Sequence, residues 1–189
     1  MIQTIDFFDK FGRPNFDLWF MTLSFIVSQR SLDPDTKHGT VVVDGSNSIL
    51  SVGYNSPPRG CVDELVPLTR PEKYLWMAHS EINAISNAAS SGIALNGSTF
   101  YVTGPPCAAC FRSILNTGAK RLVYGPIQAK VVNADDENAK RRMVDDGIEF
   151  GFGKRDFSIE VFNDVESINS LLSKTSSYMF EKISSQKTI

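Results

Sequence analysis

The chain has 189 residues, with 19 Lys and Arg against 21 Asp and Glu and a formal net charge of −2, which suits one domain with a sizeable core. That balance argues against a long phosphate-backbone footprint, which needs a basic stripe. No run approaches the roughly 20 apolar residues that span a bilayer, and Met1 to Asp6 has neither a basic start nor an apolar core, so a cytoplasmic protein without membrane or nucleic-acid partners is expected.

Residues 15–28 follow Pro14 and carry Leu18, Phe20, Met21, Leu23, Phe25 and Ile26. Apolar almost all round, they predict a helix buried on more than one side. Residues 40–43 and 49–54 read as two strands joined by a turn at Asp44 to Asn47, and a loop rich in Pro and Gly runs from 55 to about 71. Residues 79–89 predict a helix, 98–103 a strand, 108–117 a helix stopped by Gly118, and 121–124 a strand. A helix over 134–146, stopped by Gly147, and a strand over 148–152 follow. From residue 98 the order is strand, helix, strand, helix, strand, which implies parallel pairing through right-handed crossovers. The expected fold is α/β: a mixed sheet of about five strands covered by helices on both faces, in a single domain over 1–189. Residues 157–189 form a C-terminal extension, with a strand-like run over 157–162 and an amphipathic helix bearing Val165, Ile168, Leu171, Leu172, Met179 and Ile183.

Three Cys is an odd number and points toward metal chemistry and away from disulfides. Two short motifs stand 28 residues apart, His79-Ser80-Glu81 and Pro106-Cys107-Ala108-Ala109-Cys110. They supply three zinc ligands and a spare carboxylate. Catalytic zinc sites keep one position open for water, whereas structural sites close the tetrahedron with four protein ligands. Cys107 and Cys110, spaced i and i+3, share a helix face about 60° apart, and a helix N-terminus favours their thiolates. His79 and Glu81 would splay about 200° in a regular helix, so they converge only if His79 sits at the helix start in non-helical backbone. Two thiolates cancel the charge of Zn²⁺, so a carboxylate base is needed beside it, and Glu81 fits. The competing reading is a closed structural site in which Cys61, from the loop, is the fourth ligand. His38 reads as a turn residue before a strand.

These motifs form the signature of zinc deaminases. With Gln29-Arg30-Ser31-Leu32-Asp33-Pro34, His38-Gly39 and the run from Gly53 through Cys61, the chain resembles the deoxycytidylate (dCMP) deaminase family, including its phage and bacterial members. The family pattern runs QRSxDPxxxVGA, GYNGxPxGC, HAExNA and PCxxC. The resemblance covers about residues 20–125 and implies a cytidine-deaminase-like fold and hydrolytic deamination of dCMP to dUMP and ammonia, in the host cytosol for a viral member. It carries His79, Cys107 and Cys110 over as ligands of one catalytic Zn²⁺, and Glu81 as the proton shuttle. Gly53, Tyr54 and Asn55 fall in the motif that in relatives helps form a nucleotide regulatory site, where dCTP activates, dTTP inhibits and Mg²⁺ accompanies the triphosphate. Arg59 would offset effector charge there, and a homo-oligomer, typically a hexamer, is expected. Three departures bear on the sugar and effector contacts: Ser56 for Gly, Asp44 for Asn, and His38 for a small apolar residue.

Tyr124, just past a parallel strand, is the first candidate for lining the pocket, with Phe111 behind it. Arg30, Arg112 and Arg121 are candidates for neutralising a phosphate. The alternatives are a dCTP or dual dCMP/dCTP deaminase, a tRNA or single-stranded nucleic-acid deaminase, which would need a basic channel, and a non-catalytic zinc-stabilised nucleotide-binding module, to which Glu81 would be of no use.

Overall fold

Asn15 starts the first helix. Its side chain accepts a hydrogen bond from the Leu18 N–H at 2.9 Å, a cap worth about 1 kcal/mol, so α1 spans Phe16–Ser28. The computed structural model describes residues 7–127 and 156–186. Within them follow β1 (Gly39–Val43), β2 (Ile49–Tyr54), a short 3₁₀ turn (Asp63–Leu65), α2 (Lys73–Trp76), α3 (Ser80–Ser90), β3 (Thr99–Val102), α4 (Ala108–Asn116), β4 (Arg121–Tyr124), β5 (Ser158–Val161) and α5 (Val165–Gln186). The helix expected over 134–146 and the strand over 148–152 lie outside the described residues.

The five strands order as β2-β1-β3-β4-β5. β1 runs antiparallel to β2 and β3, while β3, β4 and β5 are mutually parallel. The expected mixed α/β sheet forms, and its fifth position is filled by β5 from the run at 157–162. Apolar residues flank that strand: Phe157 meets Phe111 edge-on at 6.2 Å and Phe162 meets Phe7 at 5.0 Å.

Alternation along the strands builds two cores. Val41, Val43, Tyr101 and Val123 meet Leu18, Phe20, Met21, Phe162, Ile168 and Leu171 on one face. Val42, Phe100, Val102 and Leu122 meet Ala84, Ala88, Phe111 and Ile114 on the other. Each such large side chain contributes roughly 1.5–3 kcal/mol on burial. Arg121 then ties the elements together, pairing with Asp17 of α1 at 2.7 Å and with Glu160 of β5, while the Tyr101 hydroxyl donates to Asp17.

As expected, α1 is buried on more than one side: Leu18, Phe20 and Met21 share one core with the strands and with Ile168 and Leu171 of α5. Phe16, Trp19 and Ile26 remain exposed.

Candidate metal centre

Both halves of the centre sit at helix starts. His79 is the N-cap of α3, in extended backbone at φ −71° and ψ 157°. This is the break in helical geometry that lets His79 and Glu81 converge. Cys107 is the N-cap of α4, also extended, at φ −72° and ψ 165°. The expectation that Cys107 and Cys110 share a helix face is thus corrected: only Cys110 is helical, and Cys107 reaches the site from the residue before. The chain arrives there from the C-terminal end of β3 through Thr103, Gly104, Pro105 and Pro106.

The His79 Nδ1 lies 3.4 Å from the Cys110 Sγ and 3.5 Å from the Cys107 Sγ. A tetrahedral zinc with Zn–S of about 2.3 Å and Zn–N of about 2.0 Å sets sulfur and nitrogen about 3.5 Å apart, so these three donors fit that ion. Among the described residues, His79, Cys107 and Cys110 form a group whose ligand atoms all lie within 4.8 Å. Cys61 is a half-buried free thiol outside that group, and the closed four-ligand alternative therefore lacks its fourth donor. His79 is exposed, Cys107 half-buried and Cys110 buried.

Glu81 is 4% exposed, and burial pushes its carboxyl above the ordinary carboxylate range. The hydrogen bond from the Cys110 thiol, with His79 nearby, holds the Cys107 thiol well below its ordinary value. The negative partner in turn pushes Cys110 up, as do burial and Glu81 beside it. The α4 N-terminus favours the thiolate form at both sulfurs.

The neighbouring family motifs are built into the support of this cradle. A Cβ on Gly53 would collide with the Ser80 carbonyl and the Ala84 N–H of α3, so glycine lets α3 lie close against β2. The Asn55 side chain accepts from the His38 N–H at 2.7 Å and donates to the Thr36 carbonyl at 2.9 Å. Ser56 exchanges backbone hydrogen bonds with Ala78, directly before His79, and its hydroxyl accepts from Asn83 of α3, which also donates to the Tyr54 carbonyl. Ser56, a departure from the family pattern, thereby anchors the helix that carries Glu81.

Other expected residues scatter. Tyr124 is half-buried at the C-terminal end of β4, the sheet end from which the Cys107 segment leaves. Phe111 is core, 2% exposed. Arg121 is committed to Asp17 and Glu160, so it holds the fold and not a phosphate. Arg30 and Arg112 are exposed, and Arg59 donates to Asn87 of α3 at 2.6 Å. Asp44 accepts two backbone N–H groups in the β1–β2 turn. β1 is antiparallel to β3, so this turn is at the opposite end of the sheet from the cradle. The His38 ring lies 3.2 Å from the Thr103 hydroxyl, just before β1 as expected. Ser80, which replaces the family's Ala in the HAExNA block, and Thr40 are buried beside Glu81. No helix among the described residues is long and apolar enough to cross a membrane.

The family model for the cytidine and deoxycytidylate deaminase zinc-binding region matches residues 14–126. A deoxycytidylate deaminase of Pongo abelii is 33% identical over 133 residues, 67% of this chain and 72% of the relative. The Homo sapiens deoxycytidylate deaminase is 33% identical over 129 residues, 65% of this chain and 70% of the relative. The dCMP deaminase of cyanophage S-TIM5, solved in complex with dCMP and dUMP, superposes with a TM-score of 0.56 at 24% identity, covering 80% of this chain and 98% of that one.

Proposed function

The chain belongs to the cytidine and deoxycytidylate deaminase family, and from that premise we propose that it hydrolyses dCMP to dUMP and ammonia. The observation that carries the reading is the three-donor cradle of His79, Cys107 and Cys110 with the buried Glu81 beside it. Relatives named deoxycytidylate deaminase at 33% identity support dCMP as the substrate.

His79, Cys107 and Cys110 hold the ion, and their two thiolates offset its charge. Zn²⁺ bound there supplies Lewis-acid activation of water for attack at C4 of the cytosine ring. Glu81 takes a proton from the attacking water, passes it to the ring N3, and returns the second to the departing amine as ammonia. Its burial keeps competing water away from these transfers, where electrostatic effects are stronger than in solvent. Scaffold contacts from Gly53, Ser56 and Asn83 fix the start of α3 and with it the placement of the shuttle.

Assay of the purified zinc-loaded protein against dCMP, dCTP, cytidine and cytosine tests the reading. Ammonia release is expected with dCMP foremost; turnover of dCTP without dCMP would overturn the substrate.

The proposal extends to assembly and control. Exposed apolar residues on α1, Trp19 and Ile26, and on the segment before His79, Leu75 and Trp76, support self-association, and we place the enzyme as a hexamer. A dCTP–Mg²⁺ activator and a dTTP inhibitor would use Tyr54 and Arg59, since Gly53 and Asn55 are taken up by the scaffold. Size-exclusion with light scattering reads the first. Rates at several dCMP concentrations with each triphosphate read the second, and hyperbolic curves indifferent to both would end the regulatory reading.

A further inference from the structure

In the family pattern VGA and HAE, the residues after the glycine and after the histidine are both alanine. Here they are Thr40 and Ser80. The two positions are 40 residues apart, on β1 and at the first residue of α3, and their side chains touch. The Thr40 hydroxyl donates to the Ser80 Oγ at 2.8 Å, and the Ser80 hydroxyl donates to the Glu81 Oε2 at 3.1 Å. Thr40 and Ser80 have no exposed surface, and Glu81 has 4%.

A serine hydroxyl has one proton and two lone pairs. When Thr40 donates to its oxygen, the Ser80 proton is directed elsewhere, and the acceptor it finds is the carboxylate. A buried hydroxyl without a partner is costly, so each member of the chain holds the next. An alanine pair leaves Oε2 without this donor and the Glu81 side chain with more freedom.

We infer that Ser80 is a positioning residue for the Glu81 proton shuttle and that Thr40 acts through it by fixing the direction of the Ser80 hydroxyl. The inference rests on the deaminase reading for its rate effects, but its geometric content is separate. The chain holds the Oε2 oxygen of the carboxylate in place. Substrate binding does not run through it, so its signature falls on kcat.

The test uses the zinc-loaded full chain with Ser80→Ala, Thr40→Ala and the double variant. Ser80→Ala is expected to lower kcat about tenfold, the size of one hydrogen bond to a charged group, with KM for dCMP and zinc content at the parent level. Thr40→Ala should lower kcat about threefold. The double variant should match Ser80→Ala rather than multiply the two losses, because residues acting as a unit are not additive. It should also melt higher than Ser80→Ala, since it removes the Thr40 hydroxyl that Ser80→Ala leaves unpaired. A crystal structure of zinc-loaded Ser80→Ala should show Oε2 displaced or in two positions. Unchanged kcat, loss of zinc, multiplicative losses, or an unmoved Glu81 carboxylate would each overturn the inference. If the parent does not turn over dCMP, the deaminase reading fails by itself, and the carboxylate position and the melting order still decide this one.

Discussion

In the cradle, the His79 Nδ1 lies 3.4–3.5 Å from both sulfurs, and the three donors from two helix starts fall within 4.8 Å of one another. At the end of β2, the residues of the companion motif point into the scaffold: Gly53 against α3, and Asn55 onto His38 and Thr36. Both regions carry the same family pattern, yet one offers its side chains to a ligand and the other has already used them. A recurring motif can mark a chemical group or the geometry that aims it. Contacts tell the two apart where sequence alone does not.

That difference is broken first at the cradle. Glu81→Gln should lower kcat by about a thousandfold while keeping about one zinc per chain, since a proton carrier goes and no ligand does. Cys107→Ala should lose the metal. Metal analysis beside a rate assay separates the two, and a Glu81→Gln enzyme turning over normally would refute the shuttle.

The next largest effect belongs to the scaffold. Lys73 sits 3% exposed with its ammonium 2.9 Å from both oxygens of Asp33, so Lys73→Ala strands a buried carboxylate at a cost of about 3–5 kcal/mol. Burial raises the Asp33 carboxyl, but the Lys73 ammonium together with the Asp35 and Thr36 N–H groups outweighs it and holds the group below its ordinary 3.8. Its stabilisation is therefore intact above that value and is lost as pH falls through the lower folded one. Chemical denaturation across pH 2–6 should show the parent weakening at the acid end and the variant changing less.

Gly53→Ala sharpens the contrast. The added methyl meets backbone of α3, which cannot step aside, so a loss of about 3 kcal/mol is expected from overpacking. The folded fraction should still bind zinc. Unchanged stability with altered response to dCTP would return Gly53 to the effector reading. The smallest effect is expected at Cys61→Ser, within about 0.5 kcal/mol of the parent and with zinc retained; loss of the metal would revive the four-ligand site.

The cradle was legible because ligand type, order and spacing together restrict the backbone, down to His79 sitting in extended backbone. The helix expected over 108–117 already left Cys107 just ahead of it, but the shared helix face did not follow, because an i, i+3 spacing suits a cap followed by a first turn as well as a helix interior. Arg121 as a phosphate partner and Phe111 as a pocket wall are what the sequence suggests, but strand alternation and helix facing point them into an ion-pair network and a core. The open face of α1 was illegible for another reason: apolar periodicity reports a face that prefers burial, not what covers it. Ser80 is legible as a departure from the family's alanine, but its role and that of Thr40 are not, because a small residue in a buried pattern reads as packing until its hydroxyl is seen to point at a carboxylate.

The caps of α3 and α4 carry a consequence for the lifetime of the protein in a cell. His79 and Cys107 occupy positions where Ser, Asp or Asn would normally satisfy first-turn N–H groups, and neither makes a side-chain capping bond. Each helix forgoes about 1 kcal/mol of the stability such a cap supplies. A ligand that binds only the folded state restores stability in proportion to the logarithm of its free concentration over its dissociation constant. Metal supply would then govern abundance as well as turnover: chains made under zinc starvation would open more often and meet proteases sooner, and a zinc-replete pulse would lengthen their half-life.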